Sequence, residues 1–252
     1  MFKQQIRSIY SFINMFLLVF QSFMPGIFAF LPTQAYAQDK QDVKSVALEF
    51  SEESNEFELS VVAESEVSYV LSYEDDQGVT KGITGVAQVT DGVARATEYA
   101  GTCSSDLKCV PDSFEKGTLE LPKAEYKSDF VVVDAGLWLV SGAVATISSV
   151  DLGVEYVAPQ NDGVRVQFTK LPKTSGNLRI EEIKLSDEQV KELGAYSNVA
   201  YDISSDMPDG SFEYKLQLPL PEGADENSQL VYAESVAELN SAQKIESGEI
   251  VS

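Results

Sequence analysis

The 252-residue chain contains no histidine. That absence removes every Ser-His-Asp or Cys-His hydrolytic arrangement, because both need imidazole as the base. It also removes the ordinary catalytic zinc centre, whose ligand sets lean on imidazole. Positive charge is scarce as well: 18 Lys and Arg stand against 40 Asp and Glu, a net charge of −22. A surface this acidic repels phosphate backbones and anionic head groups, so nucleic acid is excluded as a natural partner. Cations are the small ligands it suits, although the charge also keeps an exported protein soluble without any more specific use.

Cysteine is limited to Cys103 and Cys109, in Gly101-Thr-Cys-Ser-Ser-Asp-Leu-Lys-Cys-Val110. An even pair in an exported chain reads as a disulfide, here clasping a hairpin tip or tight loop. A redox thiol pair favours C-x-x-C in basic surroundings, and neither is present. Trp138 is the sole tryptophan, in the apolar run Gly136-Leu-Trp-Leu-Val140, and reads as core. Apolar runs of membrane-spanning length are limited to one, at the N-terminus.

That N-terminal run carries the clearest signal in the chain. Lys3 and Arg7 are the only charges in the first 37 residues. The apolar stretch Ile9 to Leu31 leads into Ala35-Tyr36-Ala37, with Gln38 behind it. A basic start, an apolar middle and a small-x-small site are the layout of a secretory signal peptide, cut between Ala37 and Gln38. The competing reading is a retained membrane anchor, which needs about 20 apolar residues. Pro25 and Gly26 interrupt the run and favour cleavage. Membrane contact is therefore expected only through this segment, where it stays uncleaved. Of the 18 basic residues 16 remain after cleavage, against all 40 acids.

The rest of the chain alternates by twos. Phe57, Leu59 and Val61 share one face, as do Val67, Tyr69, Leu71 and Tyr73. Val164-Arg-Val-Gln-Phe168 and Phe212-Glu-Tyr-Lys-Leu-Gln-Leu218 repeat the pattern. Period two in Val, Tyr and Phe predicts half-buried strands. Asp75-Asp-Gln-Gly78, Asp91-Gly92, Asn161-Asp-Gly163, Ser175-Gly176 and Asp209-Gly210 punctuate them as turns. Ser186-Asp-Glu-Gln189 is a capping box, Leu185 and Val190 sit at staple positions, and Gly194 supplies a stop. A short helix is predicted over 187–193. Ser235-Val-Ala-Glu238 is a second capping box. The polar stretch Leu121 to Ser128, with one proline, suggests a boundary.

Chemistry is thinly signposted. Carboxylates are abundant, so paired acids alone identify no glycosidase. Calcium, which takes clustered carboxylate and carbonyl oxygens, suits Asp202, Asp206 and Asp209 best, with Glu74-Asp75-Asp76 as a second cluster. Neither follows the EF-hand loop, and Asp-Gly pairs are ordinary turn formers. Tyr69, Tyr73 and Tyr99 are candidates for an exposed sugar-binding face.

Tyr156-Val-Ala-Pro-Gln-Asn161, Val166-Gln-Phe-Thr-Lys-Leu-Pro172, Leu185-Ser-Asp-Glu-Gln189, Ala200-Tyr-Asp-Ile-Ser-Ser-Asp-Met207, Leu216-Gln-Leu-Pro-Leu-Pro221 and Val231-Tyr-Ala-Glu-Ser235 form a series. It resembles Ig-like or fibronectin-like β-sandwich modules in large predicted secreted surface proteins of uncultivated, small-genome bacteria. The first half is similar to a companion module with a Gly-Thr-Cys…Cys-Val-Pro loop, here Gly101 to Pro111. The resemblance implies an extracellular, surface-exposed setting and carries no catalytic residues. It also implies a further strand beyond Ser235, so the chain is read as open to truncation at its C-terminus.

The expected fold is mainly β: a signal peptide over 1–37, an Ig-like sandwich with a disulfide loop over 38–124, and a second sandwich with the short helix over 125–252. The expected role is non-enzymatic: a secreted or cell-surface module for spacing, adhesion or ligand recognition, with no resident cofactor. Its partner is expected to be a surface ligand, polysaccharide or protein. The alternatives are a carbohydrate-binding module, calcium-assisted or not, and a carboxylate-dependent glycoside hydrolase.

Overall fold

The computed structural model describes residues 40–103, 109–133, 136–224, 228, 230–232 and 243–244. The expected signal segment with its expected cleavage between Ala37 and Gln38, and the Ser235–Glu238 capping box, lie outside the described residues. The described residues belong to one compact unit that starts at Lys40. They are mainly β, with antiparallel pairing throughout and a single α-helix among them.

The first strands are β1 (Val43–Ser51), β2 (Glu56–Ala63), β3 (Val67–Glu74), β4 (Thr80–Thr90) and β5 (Val93–Tyr99). Next come a small hairpin of β6 (Gly101–Cys103) and β7 (Cys109–Pro111), then β8 (Lys116–Leu121), β9 (Tyr126–Val133), β10 (Gly136–Ser141) and β11 (Val144–Ile147). The remainder is β12 (Glu155–Ala158), β13 (Asn161–Lys170), β14 (Leu178–Lys184), helix α1 (Asp187–Leu193), β15 (Val199–Ser204), β16 (Glu213–Gln217), β17 (Val231–Tyr232) and β18 (Gln243–Lys244).

Eleven strands form one sheet in the order β1-β2-β5-β4-β3-β8-β9-β10-β11-β14-β15. A second sheet runs β12-β13-β16. The long strand β4 lets the large sheet turn. Its Thr80–Ala87 part pairs with β3 and its Gln88–Thr90 part with β5. Asp91 and Gly92 close the β4–β5 hairpin, both at positive φ (53° and 77°). That is the two-residue turn whose twist matches the flanking strands, and Asp-Gly suits it. The sheet curls until β1 lies against β10.

The alternation read from sequence fills the first core. Phe57, Leu59 and Val61 from β2 meet Val67, Tyr69, Leu71 and Tyr73 from β3, with Leu119, Leu121 and Phe130 from β8 and β9. Phe50, Phe57, Tyr73, Phe114 and Phe130 form its aromatic centre, with Phe57 and Phe130 edge to face at 5.6 Å. Such pairs add about 0.5–1.5 kcal/mol each beyond the area they bury. Two glycines make room for rings: a Cβ on Gly117 would lie 2.4 Å from the Phe130 ring, and one on Gly85 2.2 Å from the Tyr69 hydroxyl oxygen.

The second core lies between the β11–β14–β15 part of the large sheet and the small sheet. It holds Ile147, Tyr156, Val164, Val166, Phe168, Leu178, Ile180 and Met207. Strand β10 separates the two cores. Leu137 and Leu139 point into the first and Trp138, fully buried, into the second. The polar stretch near residue 124 is a tight 3-10 turn, Pro122–Ala124, between β8 and β9, which pair from Lys116↔Val131 to Leu121↔Tyr126. The large sheet therefore continues through it.

Helix α1 follows its sequence signals. The Ser186 side chain accepts from the Gln189 amide at 3.2 Å, and the Gln189 side chain accepts from the Ser186 N–H at 2.9 Å. Gly194 ends the helix in the left-handed region at φ 63°.

Candidate functional site

Polar side chains gather first at one margin of the first core. Tyr73, only 3% exposed, donates from its hydroxyl to Asp112 Oδ2 at 3.0 Å. Lys81 Nζ lies 3.5 Å from Asp75 Oδ2 and 4.0 Å from Asp112 Oδ2. Asp75 also caps its own turn, accepting from the Val79 N–H at 2.8 Å and the Gln77 N–H at 3.0 Å. The Val79 and Gln77 amides, helped by Lys81, hold the Asp75 carboxyl below the usual carboxylate range. Tyr69, 2% exposed, donates to Glu98. Burial, reinforced by these carboxylates, pushes both phenols upward. These groups satisfy one another: each phenol donates to a carboxylate, and one lysine serves two acids.

This placement corrects the reading of Tyr69 and Tyr73 as an exposed sugar face. Both rings are core, and only their hydroxyls reach polar groups. Tyr99 is half-buried beside Gly101. Alternation in sequence identifies the shared face but not which face is wet.

Cys103 and Cys109 pair across β6 and β7, with their sulfurs at disulfide distance, 2.11 Å. The hairpin is exposed, and its base is fixed: Ala100 donates to Asn55 O at 2.9 Å, Asp112 donates to Ala100 O at 3.0 Å, and the Asn55 side chain also donates to Ala100 O. The loop residues between the cysteines lie outside the described residues.

Of the three aspartates read as calcium candidates, two have partners elsewhere in the fold and the third stands in a turn. Asp202, on β15, takes an ion pair from Arg179 at 3.2 Å, and Arg179 also reaches Glu181. Asp206 accepts from the Asn177 N–H at 2.8 Å, while Asn177 Oδ1 accepts from the Asp206 N–H at 3.0 Å. Asp209 precedes Gly210, which turns at φ 73°. Among the described residues no group of three or more Asp, Glu or Cys side chains is arranged to hold a metal ion.

Two features were not read from the sequence. Glu49 and Glu58 are direct cross-strand partners on β1 and β2. Partial desolvation by the surrounding strands and the Glu58 charge opposite raise the Glu49 carboxyl above its ordinary range, although the side chain stays solvent-exposed. The register that joins them follows from the hairpin closing between Ser51 and Glu56, a pairing that no local pattern in the sequence marks. The second feature is β16. Its partners are Phe168↔Tyr214 and Val166↔Leu216, so Tyr214 and Leu216 share the core-facing side of the small sheet. They nevertheless remain 41% and 37% exposed.

Comparison with protein-family models, curated proteins and solved structures finds no match. What the arrangement offers chemically is therefore read from its own residues. It has well-satisfied polar pairs and a clasped exposed hairpin.

Proposed function

We propose that the chain is an exported, non-enzymatic module of two Ig-like sandwiches that spaces and presents a recognition surface outside the cell. The observation that carries this reading is the shared strand β10, with Leu137 and Leu139 in one core and Trp138 in the other. A strand buried on both faces couples two lobes without a hinge, which suits a spacer. The signal segment of the sequence and the cysteine pair at disulfide distance support an oxidising, extracellular setting. The recognised partner is a surface polysaccharide or protein.

The test is incubation of the purified protein with cell-wall polysaccharides and intact cells, reading both retention and soluble products by mass spectrometry. Retention without product supports the module. Release of oligosaccharide overturns it in favour of a carboxylate-dependent hydrolase. Exposed Tyr196 gives the carbohydrate-binding reading its own arm, because aromatic faces stack on sugars. Retention on polysaccharide that is lost in Tyr196→Ala selects that reading.

A further inference from the structure

We infer that the fold singles out Asp209, among the Asp-Gly pairs of the chain, as a site of spontaneous isomerisation to isoaspartate. The chemistry is intrinsic to an aspartate followed by glycine, because glycine has no Cβ to keep its nitrogen away from the carboxyl. The Gly210 backbone nitrogen bonds to Asp209 Cγ. The hydrogen of that nitrogen, one carboxylate oxygen and a proton from solvent leave as water, and a succinimide ring closes. Water then adds to either ring carbonyl carbon. Breaking the bond from nitrogen to the original main-chain carbonyl carbon leaves the chain running through Cβ and Cγ, which is isoaspartate. Breaking the newer bond restores aspartate. Water is the only co-reactant, and nothing is oxidised or reduced.

Asp-Gly occurs at Asp91, Asp162 and Asp209, and the fold treats the three differently. Asp91 and Gly92 are held at φ 53° and 77° between Thr90 and Val93, which pair across the hairpin. The Gly92 carbonyl also accepts from the Ala63 N–H at 3.2 Å. Asp162 and Gly163 lie in β13, where the Gly163 N–H donates to Asn161 Oδ1 at 3.0 Å. A Cβ on Gly163 would stand 2.8 Å from Pro219 Cβ, so this nitrogen is both engaged and hemmed in. Asp209 and Gly210 are exposed in the loop between β15 and β16. Among the described residues none hydrogen-bonds to the Asp209 carboxylate or to the Gly210 N–H, and the space around Gly210 is open. The Ser211 N–H closes this turn onto Pro208 O at 3.0 Å. An exposed turn outside any strand ladder opens locally at little cost, and ring closure needs only that opening. The product carries one more backbone carbon between Met207, buried in the second core, and Phe212, packed against it.

The experiment incubates the whole protein in neutral buffer below its unfolding transition, beside a sample unfolded in guanidinium chloride. Peptide mapping with electron-based fragmentation, which distinguishes the two linkages, follows each Asp-Gly pair over time. In the folded protein isoaspartate should accumulate at Asp209 about tenfold or more faster than at Asp91 or Asp162, whose ladders must open first. In the unfolded sample the three should react at similar rates. Isoaspartyl methyltransferase labelling of the folded protein should fall to background in Asp209→Glu, which keeps the charge but must close a larger ring. Equal or faster reaction at Asp91 or Asp162 in the folded protein overturns the inference. So does an Asp209 that stays unchanged while the unfolded sample reacts, a preference for Asp209 that persists in denaturant, or labelling that survives in Asp209→Glu.

Discussion

Trp138 and Leu139 are neighbours in the chain and belong to different cores. Their strand therefore transmits damage in one core to the other. Leu139→Ala should cost about 2–5 kcal/mol, the usual range for truncating a buried leucine. Trp138, the sole tryptophan, reports from the second core. Its fluorescence transition in urea should move to lower denaturant together with the circular dichroism transition. A Trp138 signal that stays at the parental midpoint would mean that the cores unfold independently.

Gly85 lies opposite Tyr69 in the β3–β4 register, with the phenol across its Cα. A methyl there meets the Tyr69 hydroxyl oxygen at 2.2 Å. Gly85→Ala should destabilise by about 1–3 kcal/mol through overpacking. The ring carbon Cζ lies only 2.5 Å from the same point, so Tyr69→Leu, which removes ring and hydroxyl together, should make the alanine cost less in that background. Thermal melts of the four proteins in the cycle measure the coupling, and additive effects would place the strain elsewhere.

Glu49 is exposed, yet partial desolvation and Glu58 opposite disfavour its charge, so it holds its proton to slightly higher pH than an unfolded carboxyl. The folded state therefore binds more protons between the ordinary carboxylate range and the raised value. Stability falls as pH climbs through that window. Glu49→Gln removes the penalty: its melting temperature should exceed the parent's slightly at neutral pH and low salt, where screening is weakest, and approach it in acid. Equal melting temperatures at neutral pH would show that the Glu49–Glu58 pair costs nothing.

Reduction of Cys103–Cys109 should be mild. The closed loop is short, so its loss removes about 2 kcal/mol at most from the unfolded-state term. Both cysteines are exposed and neither belongs to a core. Far-UV circular dichroism should be unchanged by reductant, with a small drop in melting temperature. Collapse of the fold on reduction would overturn this account.

Local rules were the legible part of this chain. The capping box at Ser186 and Gln189, the Asp91-Gly92 turn and the Phe57-Leu59-Val61 face are each set within a few residues, and each forms as read. What depends on distant partners was not legible. Tyr69 and Tyr73 alternate as an exposed aromatic row would, but Glu98 and Asp112 meet their hydroxyls from 29 and 39 residues away. The Arg179 that pairs with Asp202 comes from β14 and was not legible beside it. Phe212 to Leu218 has the period of a half-buried strand, yet β16 is exposed along its length, because burial is settled by what the opposite sheet covers.

Strand β10 also bears on how such a chain is inherited. Modules that spread by duplication and shuffling are cut where no side chain is owed to the neighbour. Here a gene segment ending at Ala124 would leave behind Phe130, Leu137 and Leu139, which line the first core. A segment starting after β10 would leave behind Trp138, which fills the second. Recombination that respects both cores must carry the whole span from β1 to β16, so this pair of lobes should travel between genomes as one indivisible cassette.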